Sequence, residues 1–229
     1  MTHAKQKSTP VPTLSEGALT ILGVAKQLFA DKGFDAVSMN DIARRSRVSK
    51  ANIFHHFGSK EALYLAVLKA ACEETVGSLA DAQSADSSVA VDNLWKFFAS
   101  HLTAMLKNPD SVRLILREIA ESDASREQAL ANQVFAEYFS RLVRMVGEGQ
   151  VQGLLRPDFD PALLAFLMLG ANIFFFENRS VTAHLAEGGF VAKPAGYSRD
   201  VFDLLLRGAL SDTMENSSKD PDMPRIRHE

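Results

Sequence analysis

A single cysteine, Cys72, among 229 residues excludes an internal disulfide framework and suits a reducing compartment. One thiol on a helical pattern reads first as a small apolar residue, with a redox or ligand-sensing role as the alternative. The opening segment MTHAKQKSTPVPT lacks the apolar core of a signal peptide. The longest apolar run, Ala162 to Phe176, is broken by Gly170 and Asn172 and falls short of the roughly 20 residues a membrane span requires. A soluble cytoplasmic protein with no membrane partner is therefore expected. No apolar-polar alternation persists anywhere, which argues against strands. Also lacking are a metal-ligand cluster, a nucleophile elbow, a glycine-rich phosphate loop and a framed pair of carboxylates. An enzyme is not expected, nor is any metal or other cofactor.

What is present begins with charge. The formal net charge is −3, but residues 1 to 60 carry nine Lys and Arg against four Asp and Glu, and residues 61 to 229 carry 16 against 24. The first part suits a polyanion and the remainder would be repelled by one, so an orientation on nucleic acid is partly written into the charges. A solvated charged face would produce the same imbalance, and the order of residues has to decide.

Residues 38 to 60, SMNDIARRSRVSKANIFHHFGSK, hold two short helical patterns joined by a tight turn. Ser38 can cap the first helix, with Asp41 three positions on as an acidic variant of the capping box. Ile42 and Ala43 supply its buried side, and Arg44 and Arg45 stay outside. Ser49 offers a second cap. In the second helix Val48, Ile53 and Phe57 can face inward, leaving Lys50, Ala51, Asn52, Phe54, His55 and His56 on a small, polar, hydrogen-bonding surface. Two helices joined by three to four residues make a helix-turn-helix.

The remaining segments read as helices, so the fold class is all-α. Ala18, Ile21, Leu22, Ala25, Leu28 and Phe29 recur at helical spacing before Lys32-Gly33 ends the first helix. Ser59 caps a helix from Lys60 through Cys72 toward Leu79, followed by the loop AQSADSS. Further helices are expected over Val89 to Lys107, Pro109 to Glu121, Arg126 to Gln152, Pro161 to Asn178 and Arg199 to Glu215. Asn108 and Asp160 each precede a proline as capping residues, Ser125 with Gln128 forms a capping box, and Gly153 and Pro157 close the longest helix. Gly188 to Gly196, with Pro194 inside it, reads as a loop. The expected organisation is a flexible arm over 1–13, a DNA-binding domain over 14–60, a helical effector-binding and dimerisation domain over 61–215, and a flexible tail over 216–229.

From Leu19 to Leu68, the runs ILGVAKQLFADKGFDAVSMNDIA and VSKANIFHHFGSKEALYLAVL resemble the DNA-binding domain of TetR-family (tetracycline-repressor-like) transcription regulators. One departure is Arg47, where the family's turn commonly carries glycine; either Arg47 adopts a left-handed backbone or the turn is built differently. The resemblance implies that Lys50, Asn52, His55 and His56 reach bases or phosphates. Phe54 stands where a tyrosine often touches the backbone, without that hydroxyl. Asn52 could pair with adenine, and Lys50 could reach guanine or phosphate. Ser38 and Lys60 would hold phosphates with free backbone N–H groups, and Arg44 and Arg45 would contact backbone. The paired histidines read as DNA-facing rather than metal-binding, because no other His or Cys lies at ligand spacing.

The last two helices bear on assembly. Pro161 to Phe176 is apolar almost all round, and the final helix adds Val201, Phe202, Leu204, Leu205, Leu206, Ala209 and Leu210, more than one neighbour can hide. A homodimer through these helices is expected, and the resemblance implies it too; two recognition helices about 34 Å apart would then read a palindromic double-stranded DNA operator. Trp95, Phe98, His101, Met105, Leu116, Phe135, Tyr138, Asn172 and Phe175 could line a cavity for a small-molecule effector, apolar or amphipathic, and Arg117 or Glu118 could orient a charged group on it. The expected function is a repressor released by that effector. The alternative is a DNA-organising or protein-binding helical dimer without one.

Overall fold

The computed structural model describes residues 15–76 and 90–209. The chain divides into two compact units, Met1–Val67 and Leu68–Glu229, with the boundary inside a helix. The arm over 1–13, the end of the helix toward Leu79, the AQSADSS loop, Leu210, the stretch from there to Glu215 and the tail all lie outside the described residues.

The first unit is built on α1 (Glu16–Ala36), α2 (Met39–Ser46), α3 (Lys50–Phe57) and the start of α4 (Lys60–Val76). Ser15 caps α1, its hydroxyl accepting from the Ala18 N–H at 3.2 Å. The predicted stripe of Ala18, Ile21, Leu22, Ala25, Leu28 and Phe29 is buried throughout. Gly33 interrupts α1 at φ 79°, ψ 172°, a backbone that an L side chain resists. That break brings Phe34 back toward the core, where its ring lies 4.8 Å from Tyr64 and Tyr64 lies 4.7 Å from Phe29. Ile42 and Ile53, both at 0% exposure, fix α2 and α3 onto this centre, each contributing roughly 1.5–3 kcal/mol through burial.

The second unit contains the end of α4, then α5 (Ala90–Lys107), α6 (Pro109–Glu121), α7 (Ala124–Leu130), a π-helical turn (Ala131–Phe135), α8 (Ala136–Val151), α9 (Pro161–Thr182), a 3₁₀ turn (Gly188–Ala192) and α10 (Pro194–Arg207). No extended strand occurs among the described residues. Helix α5 packs against α8, α9 and α10, burying Leu94, Phe97, Phe98 and Leu102. The Ala90 N–H at its start is satisfied from far along the chain by the Gln152 side chain, at 3.2 Å.

Several boundaries differ from the sequence expectation. Asp123 caps α7, accepting from the Ser125 and Arg126 N–H groups, so Ser125 and Gln128 lie inside the helix and form no capping box. The expected single helix from Arg126 contains the π-helical turn. Asp160 caps α9 as predicted, through the Ala162 N–H at 2.8 Å. Asn108 makes no such bond with α6; its amide donates instead to Ala104 O and Glu74 O, closing the preceding helix. Pro194 is not in a loop but at the first position of α10, where its fixed φ and missing N–H suit a helix start. The chain can tighten before it because Gly188 approaches Thr182: a Cβ there would fall 1.8 Å from the Thr182 carbonyl oxygen.

Helix α9 runs six residues beyond Phe176, to Thr182, and at 22 residues it is long and apolar enough to cross a membrane by length and composition. The expectation of a stretch too short for this is corrected on that point. Its two faces differ. Leu164, Ala165, Met168, Asn172, Phe175 and Phe176 point inward, whereas Leu163, Phe166, Leu167, Phe174 and Val181 are exposed, Phe174 at 69%.

Candidate nucleic-acid interface and internal cavity

Helix α2 starts on a complete capping box. Ser38 Oγ accepts from the Asp41 N–H at 3.1 Å, and the Asp41 carboxylate accepts from both the Ser38 N–H, at 3.1 Å, and the Ser38 hydroxyl, at 2.5 Å. These bonds, with Arg44 beside them, hold the Asp41 carboxyl below the ordinary range. Arg44 is turned onto Asp41 at 2.8 Å, and Arg45 reaches Gln27 at 3.4 Å; both remain exposed.

The turn resolves the alternatives left open at Arg47. Its backbone sits at φ 58°, ψ 25°, the left-handed region, and no other non-glycine among the described residues has positive φ. The helix stops there because this conformation cannot continue it. The Ser46 hydroxyl then accepts from the Val48 N–H at 3.3 Å, and Ser49 caps α3 through the Asn52 N–H at 3.2 Å. Ile53 is the buried anchor of α3, with Val48 and Phe57 half-buried. Lys50, Ala51, Asn52, Phe54, His55 and His56 are all exposed. The two histidine rings meet edge to face at 5.6 Å.

Beside α3 lies an open groove of about 340 Å³, lined by Asp35 to Asn40, Lys50, Phe54 and Lys60. Ser38, Met39 and Asn40 at the start of α2 line it, and a helix N-terminus favours an anion. Lys60 is held at the rim, its ammonium 4.3 Å from the Phe34 ring centre and 3.4 Å from Asp35 O. Lys50 leans over Phe54 at 6.0 Å. Ser38, Lys50, Phe54 and Lys60 are thus brought together, whereas Ala51, Asn52, His55 and His56 lie on the exposed face of α3 and Arg44 and Arg45 on α2. Asn40 and the Asp35–Val37 backbone belong to the groove and were not anticipated; Asn40, two residues past a capping serine, was the available signal. Among the described residues no group of three or more His, Cys, Asp or Glu could hold a metal ion.

The second unit holds a mainly apolar cavity of about 470 Å³ that opens to the surface beside the exposed Ile119 and Phe166. Of the ten residues proposed for an effector, His101, Met105, Leu116, Phe135 and Tyr138 line it. Trp95 packs instead on Phe202, with the Arg199 guanidinium 5.6 Å away, in a separate recess of about 260 Å³. Phe98 is sealed in the core, and Phe175 packs at a tilt against Tyr197, ring centres 4.2 Å apart. Arg117 pairs with Glu121 at 4.0 Å, while the buried Glu118 meets Arg126 at 3.6 Å. Asn172 is wholly buried behind the cavity wall, donating to Phe98 O at 3.0 Å and bonding to His101 Nδ1 at 3.1 Å. Cys72, Thr75, Phe97, Phe139, Leu142 and Phe166 line the cavity without having been anticipated. The spacing of Phe135, Tyr138, Phe139 and Leu142 along α8 and the turn before it was the signal for that wall.

Burial sets the protonation of the polar groups here. It lowers His101 to about 4, so the imidazole is neutral, and raises Cys72 to about 12, so the thiol stays protonated and inert. Tyr138 is raised by burial and by the neighbouring Glu73 carboxylate.

Comparison with known proteins covers both units. The description "Bacterial regulatory proteins, tetR family" matches residues 21–67, and "Tetracyclin repressor-like, C-terminal domain" matches residues 90–200. An uncharacterized HTH-type transcriptional regulator, YfiR of Bacillus subtilis, is 26% identical over 183 residues, spanning 73% of this chain and 85% of the relative. The biofilm operon icaADBC HTH-type negative transcriptional regulator IcaR of Staphylococcus aureus is 21% identical, over 64% of this chain and 78% of its own. A crystal structure of a bacterial regulatory protein in the TetR family from Rhodococcus RHA1 superposes with a TM-score of 0.63 at 21% identity, covering 85% of this chain and 97% of that one, which speaks to the fold.

Proposed function

Because this chain belongs to the TetR family and is a DNA-binding transcriptional regulator with no enzymatic role, we propose that it is a cytoplasmic homodimeric repressor, released from a palindromic operator by a small molecule bound in the second unit. The observation that carries this reading is the surface of α3: an anchored helix, capped at Ser49, exposing Lys50, Ala51, Asn52, Phe54, His55 and His56 beside a groove rimmed by Lys60 and the start of α2. A side chain on such a helix can meet base edges in the major groove while the helix start and the lysines hold phosphates. In this reading Ser38, Arg44, Arg45 and Lys60 position the duplex, Lys50 and Asn52 read it, and the Phe54 ring packs on sugar or a thymine methyl.

Dimerisation follows from α9. Leu163, Phe166, Leu167, Phe174 and Val181, with Leu204 on α10, are large apolar side chains left 45–69% exposed in the single chain. A second copy laid on them would bury the patch and set two α3 helices one turn of DNA apart.

Release needs a coupling between ligand and helix position. Helix α4 is continuous from Lys60, at the DNA groove, to Cys72, Thr75 and Val76, which line the cavity. A ligand that fits the cavity better with α4 in one of two positions shifts the population toward it and changes the spacing of the α3 pair. Gel-shift titration with the palindrome upstream of the chain's own gene tests the proposal. Tight binding there and weak binding to a scrambled duplex at moderate salt are expected; equal affinity for the two refutes it.

A further inference from the structure

We propose that the cavity takes an uncharged, mainly apolar molecule carrying a carbonyl oxygen, as in a ketone or an ester, and that the Nε2–H of His101 recognises that oxygen. The inference deepens, and rests on, the reading of this cavity as the ligand site.

The argument starts from Asn172. Its amide nitrogen is within hydrogen-bond distance of two groups, Phe98 O at 3.0 Å and His101 Nδ1 at 3.1 Å. A carbonyl oxygen only accepts, so the amide must turn its N–H₂ toward Phe98 O, and the second hydrogen then points at Nδ1. Nδ1 is therefore the acceptor, and the proton of the neutral ring sits on Nε2. The ring face is occupied by Phe97, stacked at 5.4 Å and 12°. No group among the described residues accepts from Nε2, and His101 is 5% exposed while lining the cavity. A donor of fixed tautomer thus stands at the wall of a mainly apolar cavity, where a ligand oxygen that accepts from it gains a bond its apolar neighbours cannot supply. The arrangement is not a self-contained structural plug, since Asn172 Oδ1 also stays enclosed without a donor.

The other oxygen donors of the wall have acceptors beside them. Thr75 Oγ1 donates to Cys72 O at 2.9 Å, and the Tyr138 phenol lies beside the Glu73 carboxylate. His101 is left as the strong donor of the cavity.

Charged ligands fit poorly. No Lys, Arg, Asp or Glu lines the space. A carboxylate could accept from the neutral Nε2–H but would find no cation to balance it, because protonating Nδ1 would set two N–H groups against each other and the Asn172 amide cannot turn over without pressing Oδ1 on Phe98 O. Glu73, behind Tyr138, makes the potential worse for an anion. A cation finds aromatic faces but no lining carboxylate, and it would leave the His101 donor unmet. The volume of about 470 Å³ holds roughly 15 groups of water size at ~30 Å³ each.

Three probes with equal numbers of non-hydrogen atoms separate the cases: 2-tridecanone, dodecanoate and decyltrimethylammonium, titrated into the full-length protein by calorimetry and thermal shift. The ketone is expected to bind at least tenfold more tightly than either ion. His101→Phe, which keeps a ring and removes the donor, should weaken the ketone about fivefold or more. The wild-type comparison stands without the variant should His101→Phe fail to fold. An ion binding as well as the ketone, an unchanged ketone affinity in folded His101→Phe, or no binding of any probe overturns the inference. Gel shifts run with each probe keep the two readings apart. A ketone that binds through His101 and leaves DNA bound sinks the release mechanism but not the ligand class. An ionic probe that binds and strips DNA does the reverse.

Discussion

Arg47 offers a test in which the sign of the effect is set by one torsion angle. At φ 58° its Cβ is crowded against the following carbonyl, a cost of about 1–2 kcal/mol for an L residue relative to right-handed backbone. Glycine removes that cost but loses more chain entropy on folding, roughly 0.5–1 kcal/mol. The guanidinium is exposed, so substituting it also removes a charge that helps attract DNA. Comparing Arg47→Gly with Arg47→Ala cancels the charge and leaves only the Cβ. The glycine variant should be the more stable by about 0.5–1 kcal/mol, the difference of the two terms. Because the chain has two units, one global melting temperature would blur this. Hydrogen exchange of peptides covering Ile42 and Ile53 reads the first unit directly, and protection should be about two- to fivefold greater in Arg47→Gly than in Arg47→Ala. Equal protection, or the reverse order, would show that the turn does not hold the left-handed conformation and that the helix-turn-helix is built differently.

The remaining predictions concern reading, assembly and pH. Asn52→Ala should cost about 1–3 kcal/mol on the palindrome and relax preference at one base position, whereas Lys50→Ala should lower the slope of log affinity against log salt by roughly one if the lysine meets a phosphate; gel shifts across a salt series read both. Leu167→Glu with Phe174→Glu on the exposed face of α9 should give a monomer in analytical ultracentrifugation, and a dimer that survives both would remove α9 from the interface. His101 falls from an ordinary 6.5 to about 4 in the folded chain, so between these values the unfolded state binds the extra proton. Its contribution is complete above about pH 6.5 and is lost as pH falls toward 4, about 3 kcal/mol over the window. Denaturant unfolding should show that acid-side slope, and His101→Phe should flatten it.

Much of the first unit was legible because its signals are local. The Ser38 and Ser49 caps, the Gly33 break and the inward face of Ile42 act over three or four residues, and each appears in the fold where the pattern placed it, although Met39 and Ser46 rather than Ala43 join Ile42 in the core. The errors in the second unit arose where a group other than the expected one took the bond. Asn108 looked like a cap for α6, but Glu74 O, 34 residues away, together with Ala104 O draws its amide backward. Asp123 took the role assigned to Ser125 because its longer reach satisfies two N–H groups at once.

The order of residues by itself determined the helical class, the kind of DNA-reading unit and the side chains that α3 exposes, since helical periodicity and capping are written in neighbours along the chain. Only tertiary structure decided which aromatics became cavity wall and which became core, that Trp95 and Phe175 turn elsewhere, and that Asn172 sets the tautomer of a histidine 71 positions before it. A cavity is the volume that packed helices fail to fill, and its shape depends on all of them together. No single stretch of sequence carries that information.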